Sequence, residues 1–211
     1  MNHTSDDAGG AALEQADALA RAGSSIEAVA RYRELLAAEP GHAEARLRLA
    51  QLLDRLEEGD EAVTLLTQGL GRSPQTTDFM LLRGTILSRL RRYQEAEADL
   101  RRVLRDRPGD PSAEFELGLL AWRRGLTPQA VEHFRHALAR RPDDGRIAYH
   151  LADGLHRLGD LTGATEALES GLRSNPRDAK ALHLLGRVLD QLGRQEEARE
   201  KYRRARELGG A

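Results

Sequence analysis

The chain has 211 residues, of which 40% are hydrophobic, 31% are charged and only 4% are aromatic. Its 32 basic and 34 acidic side chains leave a formal net charge of −2, which excludes a global positive field for nucleic acid or an anionic membrane. The absence of cysteine excludes disulfides and thiolate metal sites, and it is typical of a reducing compartment. Because strong helix formers dominate and no apolar run reaches the ~18 residues of a spanning helix, we expect an all-helical, cytoplasmic protein.

The first residues of the chain, MNHTSDDA, are polar, and we expect residues 1–8 to form a disordered tail. From residue 9 onward a 34-residue period organises the sequence. Five of the seven prolines keep this interval, namely Pro40, Pro74, Pro108, Pro142 and Pro176. An alanine keeps it through six copies, each twelve residues before one of those prolines or before Gly210: Ala28, Ala62, Ala96, Ala130, Ala164 and Ala198. A fixed period of this size predicts a repeat architecture.

Each unit of the period is predicted to contain two helices. In the sixth unit, apolar residues recur at helical spacing from Leu182 to Leu192, and Gly193 ends this stripe. A second stripe, with Ala198 and Tyr202, then follows. The periodic alanine is small because two helices are expected to cross closely there, and the periodic proline prevents the second helix from continuing. Each unit is therefore predicted to be a helical hairpin.

The turn between the two helices is expected at one phase of the period. Four units carry glycine there, where a helix C-terminal cap favours positive φ: Gly23, Gly125, Gly159 and Gly193. In the second unit Gly59 comes two positions late, and in the third unit Arg91 stands in place of glycine. Asp110 before Pro111 and Thr127 before Pro128 have the spacing of an N-cap followed by a first-turn proline.

This unit, with its small residues and its proline at set phases, resembles the tetratricopeptide repeat family. The resemblance covers nearly the whole chain, as repeats 9–42, 43–76, 77–110, 111–144, 145–178 and 179–211. The family's glycine or alanine at the eighth position of the repeat is present throughout, as Ala16, Ala50, Gly84, Gly118, Ala152 and Gly186. The aromatic residue usual at the fourth position is absent from every unit, and Gln15 replaces a usual leucine.

The resemblance implies an all-α fold, an α-solenoid in which six antiparallel helix-turn-helix repeats form a right-handed superhelix. It implies a single domain over residues 9–211. It also implies that the first helices line a concave groove, at about the second, fifth, ninth, twelfth and thirteenth positions of each repeat, where partners bind.

Arginines recur at the thirteenth position of this predicted groove, as Arg21, Arg55, Arg89, Arg123 and Arg157, and Arg187 occupies a ninth position. Such a ladder suits carboxylates or backbone carbonyls of a bound chain. The alternative is a structural role, since a basic residue at the end of a helix is often only solvated and complements the helix dipole.

Aromatic residues gather at groove positions of the fourth and fifth units. Phe115, Leu119 and Trp122 share one face of a predicted helix, Tyr149 has the phase of Phe115, and His156 has the phase of Trp122. We expect these residues to form an apolar pocket for an anchor side chain of the partner. If the helix phase is shifted by one position, Trp122 belongs to the core instead.

The predicted groove positions of the last three units are mostly cationic. The cations are Arg123, Arg146, Arg157, Lys180 and Arg187, against Asp153 and Asp190. The first three units carry a slight excess of acidic groups at the same positions. We therefore expect a protein or peptide ligand whose acidic or C-terminal end meets the second half of the chain, with an apolar residue near Trp122.

No set of residues indicates catalysis, a cofactor or a metal. Of the seven histidines, His133 and His136 are the best-spaced pair, but no third ligand is evident in the sequence. No glycine-rich phosphate loop follows a strand, since no strand is predicted. We therefore expect a protein without enzymatic activity, without a cofactor and without a bound metal.

The expected function is a scaffold or adaptor that binds a peptide or helix segment of another protein in its groove. Two alternatives remain at this point. In the first alternative, the chain is a recruitment or regulatory arm of a larger enzyme assembly, of the hydroxylase, sulfotransferase or glycosyltransferase type. In the second, it is an assembly factor that self-associates into homo-oligomers. Nucleic acid and membranes are not expected partners.

Overall fold

The computed structural model describes residues 3–70 and 76–209, with side chains from residue 9 onward, and no strand occurs in these ranges. The first six helices are α1 (His3–Arg21), α2 (Ser25–Ala38), α3 (Ala43–Arg55), α4 (Gly59–Gly69), α5 (Thr76–Arg89) and α6 (Tyr93–Asp106). The next six are α7 (Pro111–Arg123), α8 (Thr127–Arg140), α9 (Gly145–Arg157), α10 (Leu161–Ser174), α11 (Ala179–Gln191) and α12 (Gln195–Gly209). The expected all-α fold is confirmed.

The chain forms two compact units, Met1–Asp106 with α1 to α6 and Arg107–Ala211 with α7 to α12. The two units meet at Asp106 within the range 9–211, for which a single domain stays a prediction. A sequence period does not reveal such a division, because each hairpin of a repeat protein forms a local core with its neighbours whether or not a unit ends there.

Within each unit the helices pack as three successive hairpins. In the first unit α1 packs on α2, α3 on α4 and α5 on α6, and in the second α7 packs on α8, α9 on α10 and α11 on α12. Each second helix also packs on the first helix of the next hairpin of its unit, and α9 contacts α11 directly. The six hairpins expected from the 34-residue period are therefore confirmed.

Small residues let the two helices of a hairpin approach closely. All six periodic alanines are fully buried. A Cβ added to Gly118 would lie 2.4 Å from Cε1 of Phe134, and one added to Gly186 would lie 2.6 Å from Cε1 of Tyr202. The eighth position of the repeat is small because a large side chain of the second helix rests on the backbone there.

The turns within the hairpins have the backbone conformation that the glycines predict. Gly23, Gly125, Gly159 and Gly193 have φ of +85°, +76°, +82° and +76°. The second and third hairpins keep the same phase without glycine, because Glu57 and Arg91 adopt φ of 65° and 61°. Gly59 is instead the buried first residue of α4. The turn geometry is therefore more regular than the glycine pattern of the sequence.

The helix ends confirm most of the predicted signals. Four periodic prolines lie two residues beyond the end of a second helix, while Pro74 and Gly210 fall outside the described residues. The Asp110 carboxylate accepts hydrogen bonds from the backbone N–H groups of Ser112 and Ala113, at 2.9 and 3.0 Å, as an N-cap does. Thr127 was wrongly predicted as a cap, since it is the first residue of α8 and Leu126 precedes it without a side-chain bond.

The N-terminal helix is longer than the sequence predicts. Because α1 begins at His3, the described part of the expected tail, residues 3–8, is helical, and Met1 and Asn2 lie outside the described residues. Extending a helix whose later turns are packed is cheap, since each added residue gains one backbone hydrogen bond. None of the described helices combines the length and the apolar character needed to cross a bilayer.

Candidate functional site

Phe115 belongs to the core of the second unit, which corrects its prediction as a groove residue. Only 2% of it is exposed, and its ring centroid lies 5.6 Å from that of Phe134 and 5.5 Å from that of His150. The guanidinium of Arg146, on α9, lies 4.5 Å from the Phe115 centroid. Leu119, one turn further along α7, is partly buried against the same core. The first helix of a repeat faces two other helices, so a large apolar side chain at the fifth position is covered by them.

Trp122 is partly buried, and another predicted groove residue occupies its exposed side. The indole packs against the core cluster, and the guanidinium of Arg157 lies 4.3 Å from the ring centroid. Nη2 of Arg157 is also 3.7 Å from Oδ2 of Asp153. The neighbouring Arg123 is exposed. Trp122 and Arg157 thus come together, but they contact each other and do not form the predicted apolar pocket.

A pocket of about 540 Å³ opens between α9 and α11, with α12 as one wall. We call it the cationic pocket. Its polar and aromatic lining residues are Tyr149, Lys180, His183, Arg187, Tyr202 and Arg206, and Ala179, Leu184 and Ala205 supply apolar surface. Three of these side chains are cationic, and none of the described residues that line the pocket is acidic. The pocket therefore favours an anionic group next to a small apolar one.

The sequence predicted two residues of the cationic pocket, Tyr149 and Arg187, as site residues. Lys180 was recognised only as a cationic groove position, and His183, which has the same repeat phase as Tyr149, was not among the predicted site residues. Tyr202 and Arg206 were missed because they lie on a second helix, whereas the predicted groove considered only first helices. The repeat phase was thus a usable signal for His183 but not for the α12 residues.

The tyrosines of the cationic pocket stay protonated. Burial raises the pKa of Tyr149, with a further increase from the carboxylates of Asp153 and Asp178 and an opposing effect of Arg187. Burial also raises the pKa of Tyr202, whose hydroxyl donates a 2.8 Å hydrogen bond to Oδ2 of Asp190. Within the described part of the chain the Tyr149 hydroxyl has no hydrogen-bond partner. It is therefore available to donate a hydrogen bond to a ligand.

His156 connects two first helices of the second unit. Its Nε2 lies 3.1 Å from Oε1 of Gln191 on α11, and its Nδ1 is buried with no hydrogen-bond partner among the described residues. The side chain is half-buried. His156 therefore supports the packing of α9 on α11, in addition to any contact with a ligand.

Arg55 and Arg89 lie in the first unit, and the other eight predicted site residues lie in the second. Arg55 lines a cavity of about 630 Å³ with Arg21 and Arg48. The same cavity includes Asp17, whose carboxylate accepts a 2.5 Å hydrogen bond from the Tyr32 hydroxyl. Arg89 forms an ion pair with Asp54. Arg55 therefore lines an open, mainly cationic cavity, whereas Arg89 is paired with a carboxylate.

Comparison with known proteins agrees with the repeat pattern. One tetratricopeptide repeat profile matches residues 81–145, 115–168 and 149–211, and a second tetratricopeptide repeat profile matches residues 12–86. No curated protein matches the sequence.

Solved structures of similar fold cover most of the chain. PilF of Pseudomonas aeruginosa has a TM-score of 0.82 and 21% identity, over 96% of this chain and 92% of PilF. PilW, a type IV pilus biogenesis factor, has the same score and identity over 98% of this chain and 94% of PilW. YrrB, a tetratricopeptide repeat protein with an unusual peptide-binding site, has a TM-score of 0.64 and 17% identity, over 84% of this chain and 91% of YrrB. With six helical hairpins and matching profiles along most of its length, the chain belongs to the tetratricopeptide repeat family.

Proposed function

We propose that this chain is a non-catalytic scaffold that binds a segment of another protein, and that the cationic pocket of the second unit is its main docking point. Repeat proteins of this kind bind through the surfaces that their stacked hairpins expose. Among the structural neighbours, YrrB has a peptide-binding site, which supports a peptide or protein as the ligand class.

The charge of the cationic pocket carries the proposal. Lys180, Arg187 and Arg206 surround it, and no described lining residue neutralises them. A guanidinium offers two parallel N–H donors to a carboxylate, while an ammonium acts as a point charge. The partner segment therefore contributes an acidic side chain or a C-terminal carboxylate.

We propose that the apolar anchor of the partner binds beside Tyr149 and not at Trp122. The exposed side of the Trp122 ring is occupied by Arg157, whereas Tyr149 stands at the edge of the pocket with Leu184 and Ala179 nearby. Aromatic side chains next to arginine are the usual centres of binding energy in protein interfaces. A small apolar side chain next to the acidic group of the ligand fits this arrangement.

Peptide selection followed by a binding assay tests the proposal. Peptides are selected from a random displayed library on the immobilised chain, and we expect enrichment of Asp, Glu or a free C-terminus. The best peptide is then labelled, and its affinity is measured by fluorescence anisotropy. Because a hydrogen bond to a charged group contributes about 1.5–3 kcal/mol, Arg187→Ala is expected to weaken binding by about tenfold or more.

The matched control is Arg173→Ala, which removes an exposed arginine of α10 that does not line the pocket. We expect Arg173→Ala to bind the peptide with wild-type affinity. Replacement of the acidic group of the peptide by its amide should weaken binding as much as Arg187→Ala does. Peptides without acidic groups, or equal binding by the two arginine variants, would refute the cationic pocket as the docking point.

We also propose a cytoplasmic location, on the ground that the sequence contains no cysteine. Fractionation of cells that produce the tagged chain tests this, and recovery in an extracytoplasmic fraction would contradict it.

A further inference from the structure

We propose that Glu114, His133 and His136 form a binding site for a divalent transition-metal ion of the Zn²⁺ type. All three lie in one hairpin of the second unit, Glu114 on α7 and the two histidines on α8. Their candidate ligand atoms all lie within 4.8 Å of one another. This site is separate from the cationic pocket, which is built from α9, α11 and α12.

The distances in the cluster are close to those of a metal centre. Nδ1 of His133 lies 2.7 Å from Oε2 of Glu114, and Nδ1 of His136 lies 3.8 Å from Oε1 of the same carboxylate. Two ligand atoms of a tetrahedral zinc ion, each about 2.0–2.1 Å from the metal, are about 3.3 Å apart. The two contacts differ from this separation by about 0.5 Å, and no pair of candidate ligand atoms is more than 4.8 Å apart, so rotamer changes of roughly 0.5–1.5 Å place the three atoms around one ion.

The helix geometry explains why the three side chains converge. His133 and His136 are three residues apart, so they project from the same face of α8. Glu114 stands at the fourth position of its repeat, where the family usually has an aromatic residue. The sequence showed the histidine pair but no third ligand, because Glu114 is 19 residues away and reaches the pair only through the pairing of α7 with α8.

The burial of the three side chains resembles that of a site with an open coordination position. The Glu114 side chain is 12% exposed, that of His133 is 32% exposed and that of His136 is 68% exposed. The carboxylate is thus held inside the hairpin, while the outer histidine faces water, which can supply a further ligand. Two imidazole nitrogens and one carboxylate suit Zn²⁺, Ni²⁺ or Cu²⁺, whereas Mg²⁺ and Ca²⁺ prefer oxygen ligands alone.

The bound ion joins α7 to α8. It replaces the contact between His133 and Glu114 with two metal–ligand bonds, and it adds His136 to the same link. The metal therefore stabilises the first hairpin of the second unit, which carries Phe115 and Trp122.

The test is a titration of the untagged chain with ZnCl₂ by calorimetry, with Co²⁺ as a spectroscopic probe of the same site. We expect one equivalent of Zn²⁺, and visible Co²⁺ absorption bands typical of a four- or five-coordinate ion. Glu114→Gln keeps the shape of the side chain but weakens it as a ligand, and His136→Ala removes an exposed ligand without disturbing the core. Each is expected to weaken Zn²⁺ binding by at least about tenfold.

Glu132→Gln is the matched control, because Glu132 is an exposed glutamate on α8 next to His133 in the sequence and is not part of the cluster. It is expected to bind Zn²⁺ like the wild type, and circular dichroism confirms that each variant is folded. If the wild type binds Zn²⁺ no more tightly than His136→Ala, or if Glu132→Gln weakens binding as much as Glu114→Gln does, the proposal is wrong.

Discussion

The guanidinium of Arg157 lies 4.3 Å from the centroid of the Trp122 ring, so a cation of α9 covers an aromatic side chain of α7. Trp122 is the only tryptophan of the chain, and tryptophan fluorescence therefore reports the environment of this one ring. In Arg157→Ala we expect emission at longer wavelength and stronger quenching by acrylamide. The free energy of unfolding should fall by about 0.5–1 kcal/mol, as for an exposed cation–π pair. Arg173→Ala is the control, and an unchanged spectrum in Arg157→Ala would contradict the contact.

The burial of Phe115 predicts a loss of stability and not merely a loss of binding. Phe115→Ala removes a ring that contacts Phe134, His150 and Arg146, and such core truncations cost about 3–5 kcal/mol. The free energy of unfolding from urea titration measures the effect. Tyr149→Ala, at a partly buried position of the cationic pocket, is expected to destabilise the chain less. If Phe115→Ala is as stable as the wild type, Phe115 is not a core residue and its prediction as a groove residue is restored.

A partly buried ion pair in the third hairpin gives a second stability prediction. Nε and Nη2 of Arg83 donate hydrogen bonds of 2.7 Å to the two carboxylate oxygens of Asp99, and these side chains are only 18% and 9% exposed. Asp99→Ala removes the only carboxylate that pairs with the guanidinium among the described residues and leaves it the 2.8 Å hydrogen bond to Oγ1 of Thr67, so it should cost about 3–5 kcal/mol in urea unfolding. The double variant Arg83→Met with Asp99→Ala is expected to recover most of that loss. If the double variant is as unstable as Asp99→Ala, the loss of stability comes from lost packing and not from the unpaired charge of Arg83.

Two turn residues hold a backbone conformation that suits glycine better. Glu57 and Arg91 have φ of 65° and 61°, which costs a side-chain-bearing residue about 1–2 kcal/mol. Glycine removes this strain but adds entropy to the unfolded chain, so Glu57→Gly and Arg91→Gly should each raise the free energy of unfolding by up to about 1 kcal/mol. Glu58→Gly is the control, since Glu58 has φ of −90°, and it should not stabilise the chain. The prediction is contradicted if thermal unfolding gives the three variants the same change in stability relative to the wild type.

His150 makes stability depend on pH. Burial lowers its pKa, and the positive charges of Arg146 and Arg123 lower it further, against an opposing effect of Asp153. Below the ordinary histidine pKa of about 6.5, the unfolded chain takes up a proton that the folded site resists. The free energy of unfolding should therefore decrease as the pH falls through that value.

The variant His150→Phe isolates this effect, because it keeps a ring beside Phe115 and Phe134 but cannot be protonated. Urea unfolding of both proteins at about pH 7.5 and about pH 5.5 measures it. We expect a smaller difference between the two pH values in the variant. An identical difference in both proteins would assign the pH dependence to other groups.

The 34-residue period was sufficient to predict the hairpins, their number and their turns. Its small residues, turn residues and prolines act locally, since each sets the geometry of its own helix end or helix crossing. The same locality explains Glu57 and Arg91, which the repeat phase places at the turns although neither is glycine. It also explains why the repeat phase places Tyr149 and Arg187 at the same pocket.

What the period left open was decided by side chains that arrive from other helices. Phe115 is buried because Phe134, His150 and Arg146 surround it, and Trp122 is covered because Arg157 reaches it from α9. The division into two units, the α12 wall of the cationic pocket and the convergence of Glu114 with His133 and His136 likewise arise only when the helices pack. These contacts join residues far apart in the sequence, and their distances depend on rotamers and crossing angles that no local pattern encodes.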